Sequence, residues 1–288
     1  MDWRIARKDY NGRYCKAAGI AIRRDDDAGE SEAMNPGSKV AVISGGASGL
    51  GAATAIALAD AGAQVASFDM TDAAPAEGIA AIRCDITSAE QTASAIDTVM
   101  QSFGRIDICV NCAGVGGIGP IATPEGPGDL DAFRRVIDVN LIGAVNLTRF
   151  AAHHMMANAG EGPDAERGVI INAASIASIE GQQGMGAYTA SKAALAAMTL
   201  VWARDLSAHN IRCMSIAAGY FATPMTAGLP DDLVCELLST NEFPRRPGVP
   251  EEFAELALFI IRSPLMNGDI IRLDGACRPP ARTSWTAT

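Results

Sequence analysis

From Lys39 onward the chain alternates short β-branched runs with longer alanine-rich stretches of helical periodicity, and no other feature narrows its possible folds so far. Strand-like runs fall at 40–44, 64–68, 80–83, 106–110, 169–172, 211–216 and 269–273. Helical stretches at 49–61, 89–103, 130–156, 186–208 and 250–261 lie between them. Parallel neighbours need long connections, and right-handed crossovers lay helices on the sheet faces. The pattern therefore predicts one Rossmann-type α/β domain: a doubly wound, seven-stranded parallel sheet with helices on both faces. No repeat of solenoid or propeller length is visible.

The 288 residues suit one sheet of this class, and 49% hydrophobic against 19% charged residues supplies a large core. A net charge of −10 without a concentrated basic patch argues against nucleic acid or an anionic membrane as partner. Apolar stretches such as 56–61 and 193–201 are too short to span a bilayer. Seven scattered cysteines suit free thiols in a reducing compartment, the cytoplasm or alternatively the mitochondrial matrix. Cys109 and Cys112 have Cys-x-x-Cys spacing, yet Cys109 falls inside a strand-like run and no further Cys or His partner is evident. Neither a redox pair nor a metal site is expected there. His153 and His154, adjacent on a helix, project in different directions and are read as surface or interface residues. Residues 1–37, basic and then acidic, read as a flexible extension with Met34 as a candidate natural start, before a domain at 38–278 and a tail at 279–288.

The first strand runs directly into Ser44-Gly45-Gly46-Ala47-Ser48-Gly49-Leu50-Gly51 and then a helical stretch. Glycines there permit tight turning and close backbone approach, so the helix N-terminus can face a pyrophosphate. Asp69 ends the next strand, where a carboxylate accepts hydrogen bonds from ribose hydroxyls and repels a 2′-phosphate. No Arg or Lys occurs in the glycine loop or at Met70, Thr71 and Asp72, so NAD is expected over NADP. Asp85 and Ile86 after the third strand suit the adenine, and Asn111, Cys112, Ala113 and Gly114 follow the fourth.

Tyr188 and Lys192 stand four apart at the start of a helical stretch, on one face. A neighbouring ammonium favours a phenolate and brings a tyrosine toward the working range of an acid/base. Ser175, just past the fifth strand, can donate to a carbonyl or alkoxide oxygen, and Asn140 completes the candidate set. Singly, each has an ordinary alternative: Tyr188 and Lys192 a surface pair, Ser175 an N-cap, Asn140 a polar helix position.

Together these residues resemble the short-chain dehydrogenase/reductase family in its classical form, in order and spacing, over about residues 38 to 278. The resemblance implies that Tyr188 exchanges a proton with the substrate oxygen while the nicotinamide exchanges hydride with the carbon. It implies that Lys192 binds the nicotinamide ribose, Ser175 orients the substrate oxygen, and Asn140 holds a water linking Lys192 to solvent. Gly219 and Phe221 complete the implied cofactor contacts. Ser44 replaces the usual threonine, keeping the hydroxyl, and Ala218 replaces the usual proline, which is expected to loosen the turn near the nicotinamide.

Within the family the chain looks most like the type 2 3-hydroxyacyl-CoA dehydrogenases, also named 17β-hydroxysteroid dehydrogenase type 10. The shared features include Asp138-Val139-Asn140-Leu141, Glu180-Gly181-Gln182 and Asn267 to Gly275. That likeness implies Gln182 as a substrate contact and a mobile lid at 220–246 whose Phe221, Met225 and leucines cover an apolar substrate. Arg245 and Arg246 are candidate counter-charges for an acyl-CoA. The substrate is thus a secondary alcohol or ketone, 3-hydroxyacyl-CoA first, with a steroid or alicyclic alcohol as the alternative. A different class, a catalytically silent NAD(H)-binding regulator, would carry a broken Tyr, Lys or Ser, and none is broken. A homotetramer is the family's usual assembly.

Overall fold

The computed structural model describes residues 34–159 and 165–282; the expected extension over 1–33 and the tail from 283 lie outside them. The strands are β1 Val40–Ser44, β2 Gln64–Asp69, β3 Ala80–Arg83, β4 Ile108–Asn111, β5 Ala122–Thr123, β6 Gly126–Pro127, β7 Gly168–Ser175, β8 Ile211–Ala218 and β9 Ile270–Leu273. The helices are α1 Gly49–Asp60, α2 Ala89–Phe103, α3 Leu130–Ile137, α4 Gly143–Met155, α5 Gly186–Leu206, α6 Asp231–Ser239 and α7 Pro250–Ile261. Seven strands form one sheet in the order β3-β2-β1-β4-β7-β8-β9. Every pairing in it is parallel, from Val40 opposite Gln64 to Ala218 opposite Leu273. The expected doubly wound sheet is the one observed.

The order runs outward in both directions from β1 and β4, so a crevice opens beyond their C-terminal ends, where ligands of open α/β sheets bind. Alternation along β1 feeds two cores. Ala41 and Ile43 join Leu58 of α1 and Phe253, Ala257 and Ile260 of α7 on one face. Val40 and Val42 join Ile96 and Val99 of α2, Leu147 and Met155 of α4 and Ala203 of α5 on the other. Covering both faces is why β1 is buried at all five positions. Met34 is buried in the first core, so folded structure extends to it.

Three departures from the sequence pattern are local. β4 begins at Ile108, although the Asp107 backbone still bonds Val40 O and Val169 N on either side; the Asp107 carboxylate accepts from Val40 N at 3.0 Å and pairs with Arg105 at 2.6 Å. The helix expected over 130–156 contains a π turn, Asp138–Ile142, between α3 and α4. The β5–β6 hairpin and α6 were not anticipated, being short and largely exposed. Among the described residues no helix is long and apolar enough to cross a membrane.

Candidate active site

The crevice above β1 and β4 is a cleft of about 880 Å³. The glycine loop forms one wall, with Gly45, Ser48, Gly49, Leu50 and Gly51 all facing it. Gly45 has φ +67°, and a Cβ on it would stand 2.8 Å from Ala113 N, so only glycine lets the loop cross this close to the β4 turn. The N-cap of α1, Ser48, makes no side-chain capping bond, which leaves first-turn amides available to an anion. Asp69 and Asp85 with Ile86 line the cleft at the ends of β2 and β3. Asp69 Oδ2 accepts from Ala47 N at 3.2 Å, tying the carboxylate to the glycine loop. Asp85 Oδ1 accepts from the Thr87 hydroxyl at 2.7 Å and its amide at 2.9 Å. Ala113, Gly114, Gly219 and Phe221 complete the predicted cofactor residues that face the cleft. Its size, the uncapped helix amides and the carboxylate beyond them fit a nicotinamide dinucleotide.

Ser175, Tyr188 and Lys192 meet in the same cleft. Ser175 ends β7, where its Oγ accepts from Ala177 N at 3.1 Å; it caps a short 3-10 turn and still has its hydrogen to give. Tyr188 lies in the first turn of α5, near enough to Ser175 for that hydroxyl to lower its phenol. Lys192 is buried one turn on, donating to Ala173 O at 2.7 Å, with its Nζ 5.8 Å from the Tyr188 ring centre.

The electrostatics differ from the expectation that Lys192 lowers the tyrosine. With protein groups alone, burial pushes the Tyr188 phenol up, and the Ser175 hydrogen bond is what pulls it down. Lys192 itself is the strongly displaced group, lowered by burial to about 8. Its charge is therefore largely present at neutral pH and fades as the pH passes 8. The unfolded chain holds this proton more tightly, so the contribution of Lys192 to stability rises from about pH 8 toward the ordinary 10.5. Denaturant titrations should show wild type gaining on Lys192→Met between these limits; a constant difference would contradict the assignment.

Four predicted residues do not line the cleft. Ser44 is buried beneath it, its Oγ accepting from Ala113 N at 3.2 Å. Asn111 donates inward to Thr148 and Asn172. Asn140 sits in the π turn with its amide committed to both Val115 backbone groups, at 2.7 and 3.0 Å, and to Ser191. Its side chain holds the chain beyond Gly114 rather than facing ligand. Gln182 donates to Pro280 O at 3.1 Å, a contact within the protein.

Other expectations are corrected. Arg246 is neutralised by Glu252, with bonds of 2.7 and 2.9 Å, and Arg245 reaches only the Glu242 carbonyl; neither lines the cleft. The cations that do, besides Lys192, are Arg134 and Arg135 of α3, which sequence reading missed because periodicity located the helix and not its distance from the crevice. From the lid, Phe221 and Met225 face the cleft, while Leu233 is the buried residue of α6. Ala218 stays in the sheet, paired with Ser175 and Leu273, and Gly219 N donates to Leu273 O, so the turn is held without proline. Burial raises the thiols of Cys109 and Cys112, the latter to about 12, the opposite of what redox chemistry requires.

The family model described as short chain dehydrogenase matches residues 39–233. The 3-hydroxyacyl-CoA dehydrogenase type-2 of Drosophila melanogaster is 42% identical over 248 residues, spanning 83% of this chain and 97% of that protein. Its namesake from Homo sapiens is 43% identical over 250 residues, 83% of this chain and 95% of the other. A crystal structure of 3-hydroxyacyl-CoA dehydrogenase type-2 from Mycobacterium avium superposes with a TM-score of 0.79 at 33% identity, covering 85% of this chain and 97% of that one. With a parallel sheet, a dinucleotide-sized cleft and Ser175, Tyr188 and Lys192 within it, the chain belongs to the short-chain dehydrogenase family and is a nicotinamide-dependent oxidoreductase.

Proposed function

We propose that the chain interconverts a secondary alcohol and a ketone with NAD, and that its substrate is a 3-hydroxyacyl-CoA. The observation that carries the reading is the convergence of Ser175, Tyr188 and Lys192 on the cleft that Asp69 also borders. A bound nicotinamide supplies the hydride acceptor or donor. Tyr188 takes the hydroxyl proton as the alcohol is oxidised and returns it in reduction. Ser175, free to donate its hydrogen, holds the substrate oxygen beside the Tyr188 hydroxyl and steadies the charge that develops on it. Lys192, lowered to about 8, fixes the ribose and in its neutral form takes the proton that the phenol must release before it can accept the alcohol's. Asn140 acts at one remove, holding Val115 and so the loop that bears Gly114.

The substrate assignment draws on the name that the relatives share. Arg135, at the cleft, is the counter-charge we assign to the phosphates of an acyl-CoA, its neighbour Arg134 being paired with Asp131 at 3.1 Å. A homotetramer in a reducing compartment, the cytoplasm or mitochondrial matrix, accords with the family and with thiols that are free among the described residues.

The choice of NAD rests on Asp69. Steady-state kinetics with both cofactors should give a kcat/KM for NAD at least ~100-fold that for NADP, since placing a carboxylate against a 2′-phosphate costs several kcal/mol. Asp69→Ser should shrink that ratio at least ~tenfold by removing the repulsion. Comparable use of NADP by the wild type would refute the role.

A further inference from the structure

The segment after β9 does more than end the fold. Arg272, in β9, spends all five of its N–H donors on three partners. Nη1 donates to both Glu180 oxygens at 2.8 and 2.9 Å, and Nε and Nη2 donate to Asp274 Oδ2 at 2.8 and 2.6 Å. Nη2 also donates to Cys277 O at 3.0 Å. Arg278 reinforces the cluster, reaching Glu180 at 3.3 Å and Asp274 at 3.4 Å. Two further bonds carry the contact outward: Gln182 Nε2 to Pro280 O at 3.1 Å, and Gln183 N to Ala281 O at 2.9 Å.

Glu180, Gln182 and Gln183 belong to the loop that joins Ser175 to Tyr188. Its backbone leads directly into the reacting groups: Glu180 N donates to Ile176 O, Met185 N to Gln182 O, and Thr189 N to Met185 O. The other side of the segment grips the end of the lid. Cys277 Sγ stands 3.0 Å from the Thr240 hydroxyl, and Glu242 N and Phe243 N both donate to Gly275 O. Residues 274–281 thus form a strap between the catalytic loop and the lid.

We infer that Arg272 is a positioning residue for the Ser175–Tyr188 loop, holding it through Glu180 against a strap formed by residues 274–281. The inference rests on the roles given above to Ser175 and Tyr188. The charges explain why one guanidinium suffices: Glu180 and Asp274 face each other across it, and without it two carboxylates would repel where the loop must dock. A fork with every donor used also fixes orientation, which a single flexible ammonium does not. Placement matters because a shift of ~1 Å at reacting groups can cost ~100-fold in rate.

Glu180→Gln is the test. Glu180 is about a quarter exposed, whereas substituting Arg272 would strand the 7% exposed Asp274. The variant keeps the side chain's shape and removes the charge. Hydrogen exchange of the cofactor-free protein should show amides over 176–189 exchanging at least ~tenfold faster, with those over 40–44 unchanged. In alcohol oxidation the acid limb of the kcat/KM profile, which reports the enzyme before the substrate takes the Ser175 hydrogen, should move to higher pH, because a loosened loop weakens the hold of Ser175 on the phenol. An unchanged loop, a rise in exchange shared by 40–44, or a loosened loop with an unmoved limb each overturns the inference. Exchange requires no turnover, so a wild type inactive on every alcohol would defeat the proposed function without touching this arm.

Discussion

Tyr188→Phe should lower kcat by roughly 10²- to 10⁴-fold, the usual worth of a positioned acid/base, with NADH affinity nearly unchanged. The substitution removes one oxygen and keeps the ring, so the Lys192 Nζ stays near the same aromatic face and the first turn of α5 keeps its packing. Single-turnover measurements with NADH binding followed separately would distinguish loss of chemistry from loss of cofactor. Equal turnover by the variant would remove Tyr188 from the mechanism.

Ser175→Ala is the second large effect, expected at about 10²- to 10³-fold in kcat, as for loss of one donor to a developing oxyanion. Two contributions fall together. The substrate oxygen loses its donor, and Tyr188 loses the hydrogen bond that opposes the rise burial imposes on it. Because Ser175 and Tyr188 act on the same substrate oxygen, the double variant Ser175→Ala with Tyr188→Phe should lose less than the product of the two single losses. Steady-state kcat of the two single variants and the double variant checks this. A fully multiplicative loss would mean the two residues act independently.

What the sequence disclosed was local. The glycine loop, Asp69 and the Tyr188–Lys192 spacing are each read from a few consecutive residues, and each lines the cleft as expected. What it concealed depends on residues far apart. Gln182 has the chemistry of a substrate contact, but its amide is taken by Pro280, 98 residues away in sequence. Arg246 reads as a free charge until Glu252 folds back onto it. The direction of the Tyr188 shift in the cofactor-free protein depends on burial, which no spacing reveals. The π turn at Asp138–Ile142 is a single irregular turn between two helices, too short for apolar periodicity to mark it.

The sheet explains why the site can be this demanding. β1, β4, β7 and β8 are buried along their length, and their C-terminal ends deliver the glycine loop, the Ala113–Gly114 turn, Ser175 and Gly219 to one crevice. Rigid strands set where these groups start. The loops and strap then decide where they finish.

The most direct test follows NADH appearance when the wild type is mixed with NAD and a short 3-hydroxyacyl-CoA, beside Tyr188→Phe at the same concentration. The proposed chemistry predicts steady NADH formation by the wild type and a loss of about 10²-fold or more in the variant, with both binding NADH alike. NADH formation at equal rates by the two proteins would contradict it.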